Sequence, residues 1–348
     1  MQVKKTLKTL VLLVVVIAIH LVSPIIGDNY HSNIYPTIDK LLVWISKFAQ
    51  FPIGDVLYFI AALLIIRKSY LYIKAKKWLN VVLYLSNITL VFFITFQLFW
   101  GLNNYKSPLH HTLNISQTYS IEQLENFTHK KIDNINILHV KIAGYNEKVI
   151  IEKDYELFYT EAVKQFKNTW FLDNYSLENL NPSKPSVYSY FLSRAGFSGY
   201  FNPFTHENQI NYEVPTIGMP LTYTHEMTHQ LGFASEAEAN FIAYYTLKNS
   251  TNLKLRYAAE LYGLKYALKE VRKIDEEKFL CYFENLNPGI IENIKETEEF
   301  WSKHKNFSSK IFKPLYGIFL KANNQKHGIR SYNRMVNLMI NYDEKYTN

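Results

Sequence analysis

A chain of 348 residues with 38 Lys/Arg against 30 Asp/Glu has room for one membrane module and one domain of ordinary size. Its aromatic content of 16% supports a packed core, and the single Cys281 excludes an internal disulfide. The net charge of +8 does not read as nucleic-acid binding, because it gathers at Lys4, Lys5 and Lys8 and at Arg67, Lys68, Lys74, Lys76 and Lys77, beside apolar runs rather than along an aromatic-lined groove.

Residues 7–26 are almost wholly apolar and long enough to cross a bilayer. Ser23-Pro24-Ile25-Ile26-Gly27 offers no small-x-small cleavage site and further apolar runs follow, which argues against a removable signal peptide. Residues 33–51 repeat Ile34, Ile38, Leu41, Leu42, Ile45 and Phe48 at helical spacing. An amphipathic helix on the outer membrane surface and a plain packing helix both satisfy that pattern. A second span is expected over 53–72, with Asp55 near the interface, and a third over 78–101, ending in the aromatic anchor Phe99-Trp100. Residues 1–101 thus predict a membrane module of about three transmembrane helices. The positive-inside rule puts the N-terminus and the 67–77 loop in the cytoplasm. Three crossings then leave residues 102–348 outside it, in a multi-pass protein of the inner membrane.

Beyond residue 102 the pattern is mostly helical, with helices expected over 120–133 and 152–169. Residues 181–220 are rich in proline, and short strands are expected over 186–192, 199–202 and 207–212. The fold class is therefore mostly α with a small β-sheet. An edge strand can bind an extended peptide by strand addition. Glu207, Asn208, Gln209, Ile210 and Asn211 are expected to be that edge, an ordinary hairpin being the alternative.

The strongest chemical signal is His225-Glu226-Met227-Thr228-His229. Residues four apart share a helix face, so both imidazoles can reach one ion while Glu226 serves as general base for a metal-activated water. Pro220 is placed to open the helix, and Gly232 to close it. A catalytic zinc needs a third ligand. Ser235 is a poor one, which leaves Glu236 and Glu238 on a second helix expected over 235–248. Glu238 shares a face with Ile242 and Tyr245 and is the expected ligand. Its competing reading is the capping box Ser235-x-x-Glu238.

The run His225-Glu226-x-x-His229-Gln230-x-Gly232-Phe233-Ala234-x-Glu236-x-Glu238-Ala239-Asn240-Phe241 resembles a bacterial membrane-protein family of unknown function, number 3810. Trp100-Gly101-Leu102-Asn103, Gly199 to Thr205 and Gly328 to Tyr332 extend the resemblance over nearly the whole chain. Ala237 and Leu231 depart from the usual pattern without touching the proposed ligands. The resemblance implies a zincin-like α+β domain of the glutamate-zincin type, and the Glu-Ala-Asn-Phe run favours Glu238 over Glu236.

These readings combine into a membrane-anchored zinc peptidase holding one Zn2+ on His225, His229 and Glu238, with Glu226 as general base. Tyr332 is the first candidate to stabilise the oxyanion, followed by Tyr212, Tyr223 and His206. The expected partners are the lipid bilayer and a peptide or protein substrate, exported or membrane-associated, with no nucleic acid. A non-catalytic zinc-binding receptor or scaffold on the same fold is the alternative.

Overall fold

The computed structural model describes residues 2–304, 314–318, 323–324 and 332–347. Two compact units emerge: residues 1–107 with 202–207, and residues 108–201 with 208–348. The first boundary falls six residues after the one expected at 101/102, and a hairpin tip joins the first unit.

The first unit is helical. Helix α1 (Gln2–Asn29) passes through a π-helical turn, Tyr30–Ile34, into α2 (Tyr35–Ser46). The 33–51 segment is therefore, as far as Ser46, a continuation of the first apolar helix. Helices α3 (Ile53–Lys74) and α4 (Trp78–Phe99) follow. Three stretches, Thr6–Ser46, Ile53–Lys74 and Trp78–Phe99, are long and apolar enough to cross a membrane. Their surface supports membrane association: on α2, Tyr35, Asp39, Val43 and Ser46 are buried while Leu41, Trp44 and Ile45 are exposed. Water would not tolerate such an apolar exterior, whereas lipid solvates it.

The hairpin tip fits this interior. His206 Nδ1 lies 2.8 Å from Asp39 Oδ1, and its ring packs 5.5 Å from that of Tyr35. The Glu207 carboxylate accepts the Ile53 N–H at 3.1 Å and the Gly54 N–H at 2.7 Å. Those donors open α3, where no intrahelical acceptor exists, so Glu207 caps the helix and meets the positive end of its dipole. Gly54 is required there, because a Cβ would stand 2.2 Å from Asn202 Nδ2.

The second unit holds the main core. A short helix, α5 (Leu109–Leu113), leads to α6 (Ile121–Ala143), opened by the capping box Ser120/Gln123, and to α7 (Tyr155–Lys167), capped by Asp154. Strand β1 is only Lys184–Pro185. The strand expected over 186–192 is not formed; Ser189–Ala195 is a helix, α8, ended by Gly196 at φ 84°. Its aromatic residues read as strand, but a left-handed glycine is a helix stop. Strands β2 (Gly199–Asn202) and β3 (Glu207–Ile210) complete a sheet of order β1-β3-β2, with β1 and β3 parallel. Helices α9 (Met219–Gln230), α10 (Glu236–Lys248), α11 (Leu253–Ile274), α12 (Glu276–Glu284) and α13 (Pro288–His304) follow, with a C-terminal helix at Tyr332–Tyr346. One cluster of buried residues, including Phe158, Phe166, Tyr223, Phe233, Phe241, Tyr257 and Met335, runs through these elements. The protein is thus mostly helical with a small three-stranded sheet.

That core contains a charged pair. Lys131 Nζ on α6 lies 2.9 Å from Glu260 Oε2 on α11, both side chains under 10% exposed, and also meets the Tyr244 hydroxyl. Burial draws the Lys131 ammonium down, and the Glu260 charge holds it up. Breaking such a pair strands a buried charge. Glu260→Gln should cost ~3–5 kcal/mol in denaturant unfolding. The double change Lys131→Met with Glu260→Leu should cost less than Glu260→Gln alone, and a larger loss would refute the stranded-charge account.

Candidate metal centre

Helix α9 opens as its sequence requires, with Pro220 in the first turn, and Gly232 at φ 84° turns the chain back after it. The reversal lays α10 against α9. His225 and His229, one turn apart on α9, place their Nε2 atoms 3.0 Å from each other. The third member is Glu236: its Oε2 is 3.4 Å from His225 Nε2, and its Oε1 is 3.9 Å from His229 Nε2. Among the described residues this is the one group of three such side chains close enough to share an ion.

The expected ligand Glu238 is not part of that group. Its Oε1 accepts the Leu109 N–H at 2.7 Å. Nor does it close a capping box, since Ser235 makes no side-chain cap bond. Glu238 is buried, as its helical position predicted, but against α5. Burial could not select the ligand because α10 is covered nearly all round: Ala237, Glu238, Ala239, Phe241, Ile242, Ala243 and Tyr244 are all buried. Glu236 is instead the first helical residue after the Gly232 turn, which brings it closest to α9. A carboxylate there is also favoured by the α10 dipole.

The donor set suits a divalent cation. The Phe233 carbonyl can only accept, so its 2.7 Å bond to His229 Nδ1 fixes the proton on that nitrogen and leaves the Nε2 lone pair facing the cluster. Two donors at zinc distances of ~2.0–2.1 Å from one tetrahedral ion lie about 3.3 Å apart. The observed 3.0, 3.4 and 3.9 Å bracket that spacing. The Tyr316 hydroxyl donates to Glu236 Oε1 at 2.6 Å and fixes the carboxylate, a role no sequence pattern signalled.

Two of the three donors, Glu236 and His229, are held in the protonation state a ligand needs, and His225 must give up a proton. Burial would push the Glu236 carboxyl up, but its bond to His225 and the charges of both imidazoles hold it at about 2. Burial and the neighbouring His225 draw His229 down to about 4, so it is neutral at physiological pH, as a ligand must be. Burial opposes charge on His225 too, but the bond to Glu236 and the charges of Glu226 and Glu236 outweigh it and raise this imidazole. Glu226 is only 4% exposed. Burial drives its carboxyl up to about 8, partly offset by His225 and by the Phe201 backbone N–H. A carboxyl this close to neutrality can both take and return a proton.

The other expected site residues fall elsewhere. Strand β3 lies between β1 and β2 and is wholly buried, so Glu207, Asn208, Gln209 and Ile210 are not an edge. The Asn208 amide donates to the Asn181 carbonyl at 3.2 Å and to Gln230 Oε1 at 3.0 Å, and Asn211 donates to Ser193 Oγ at 2.9 Å. The Tyr223 hydroxyl accepts the Ser183 N–H at 2.8 Å within the core. His206 pairs with Asp39 in the first unit. The Tyr332 side chain lies outside the described residues.

The outer strands are β1 and β2, and three of the four β2 residues are half-buried. Gly199 of β2 abuts α9: a Cβ there would stand 2.8 Å from Glu226 Oε1, 2.8 Å from the Gln209 carbonyl and 2.9 Å from Thr222 Cγ2. Backbone cannot yield as a side chain can. Gly199→Ala should therefore lower stability by ~1–3 kcal/mol and displace Glu226 while leaving His225, His229 and Glu236 in place. Thermal unfolding and metal analysis check this, and wild-type stability would show that the strand can shift freely.

Residues 30–340 match the family described as a protein of unknown function (DUF3810), and the chain belongs to that family. No curated protein and no solved structure matches it.

Proposed function

We propose that the protein is a membrane-anchored zinc peptidase whose ion is held by His225, His229 and Glu236. The observation that carries this reading is the convergence of those three donors, 3.0–3.9 Å apart, beside a buried Glu226. Zinc bound there would supply a Lewis acid for the scissile carbonyl and a water acidified toward neutrality. Glu226 removes that water's proton on a carboxylate oxygen and returns it to the leaving amine. Phe233 and Tyr316 hold His229 and Glu236 in the ligating orientation.

The substrate is an extended peptide. Strand β2 is an outer strand whose Gly199 abuts Glu226, so strand addition along β2 replaces the assignment to 207–211. The zincin-like character of the domain and its extracytoplasmic placement belong to the same proposal. The placement rests on the dense Lys/Arg clusters at residues 4–8 and 67–77. Exported or membrane-associated polypeptides are then the accessible substrates. A purely structural or receptor-like zinc site is the alternative, and it has no use for a base such as Glu226 beside the ion. The deciding measurement pairs zinc content with peptide cleavage in the wild-type chain, His225→Ala and Glu226→Gln. Purified wild type that takes up no zinc would overturn the proposal.

A further inference from the structure

The first unit carries a second site unrelated to the metal centre. Between α3 and α4 is a cavity of about 390 Å³ lined by Leu64, Arg67, Lys68, Leu71 and Tyr84. Lys68 Nζ stands over the Tyr84 ring, 4.8 Å from its centroid. Among the described residues neither Arg67 nor Lys68 forms an ion pair. The sequence supplies no local counter-charge, since no Asp or Glu occurs between Asp55 and Glu122.

Depth within the apolar helices matters as much as charge. Arg67 precedes the end of α3 at Lys74 by roughly 10 Å, and Tyr84 follows the start of α4 at Trp78 by roughly 9 Å, at 1.5 Å per residue. The headgroup layer of a bilayer is roughly 5–8 Å thick on each side. Trp78, 63% exposed, marks an interfacial position. The two cations therefore sit where headgroups meet acyl chains, and the largely exposed Leu64 and Leu71 share their wall. A soluble anion has no use for the leucines, and an apolar peptide has none for the cations. An amphiphile with a phosphate and acyl chains uses both.

We infer that this cavity is a binding site for an anionic phospholipid, its phosphate between Arg67 and Lys68 and its chains along Leu64 and Leu71. The occupant belongs to the leaflet facing the Lys74–Lys77 turn. Each cation near an anionic headgroup is worth roughly fivefold in binding, so the pair contributes roughly 25-fold.

The test uses the full chain in neutral detergent, with lipid adducts read by native mass spectrometry. Phosphatidylglycerol should bind, phosphatidylcholine should bind at least tenfold more weakly, and glycerol phosphate should not bind. Arg67→Ala with Lys68→Ala should lose phosphatidylglycerol binding by roughly 25-fold. The exchange Arg67→Lys with Lys68→Arg should retain it, which separates lost charge from lost folding. Neutralising Lys74, Lys76 and Lys77 should weaken phosphatidylglycerol and phosphatidylserine alike and leave the preference over phosphatidylcholine at Arg67 and Lys68 in place. Equal binding of phosphatidylglycerol and phosphatidylcholine, tight binding of glycerol phosphate, or loss confined to the turn variant would each overturn the inference. None of these readouts depends on zinc or on peptide cleavage, so the outcome stands apart from that of the peptidase proposal.

Discussion

Glu226→Gln should bind zinc like the wild type and cleave peptide ~10²–10⁴-fold more slowly, the range that general acid–base catalysis contributes. The reasoning is geometric. Glu226 lies on α9 between the two histidines in sequence, but it is not one of the three donors that converge. Its amide analogue has the same shape, so the ligands should not move. What it lacks is a site for the proton. Retained zinc with lost turnover therefore separates base from ligand. Cleavage at the wild-type rate would remove Glu226 from the mechanism, whereas loss of zinc would make it part of the site's framework.

A comparison of the two glutamates on α10 should have an equally large effect. Glu236→Ala should lower zinc affinity beyond the ~10–100-fold that loss of an outer-shell partner costs, because it removes a direct donor. Glu238→Ala should keep zinc and instead lose ~1–3 kcal/mol of stability, the cost of leaving the buried Leu109 N–H without its acceptor. Zinc content and thermal unfolding on both variants give the answer. The reverse pattern would restore Glu238 as ligand. Both variants should also differ with pH, since His225 must be free of its proton to ligate and its imidazole is raised by Glu236. Zinc uptake by the wild type should weaken as the medium is acidified.

Local chemistry in this chain was legible from the sequence. The helix carrying His225 and His229 is bounded by Pro220 and by the turn at Gly232, because proline and glycine act through their own backbone geometry. The apolar spans were readable because length and hydropathy are properties of the local sequence alone. Choices that depend on distant partners were not. Glu236 and Glu238 are two positions apart on a helix buried nearly all round, so periodicity could not say which faced the histidines. Strand β3 has the composition of an edge, but pairing with the two-residue β1 makes it central. The aromatic run over 186–192 reads as strand, while Gly196 commits Ser189–Ala195 to a helix. Tyr316, the donor to Glu236, lies 80 residues away along the chain, and no spacing rule connects them.

The hairpin tip has a practical consequence for anyone wishing to cut this protein down. Residues 202–207 fold with the apolar helices, although the strands on either side of them continue into the second unit. Excising everything before Pro108 would take Asp39 from His206 and the Ile53 and Gly54 amides from Glu207. A truncated fragment would thus lose these three polar contacts at the end of its sheet, and the intact polypeptide is the proper unit for expression.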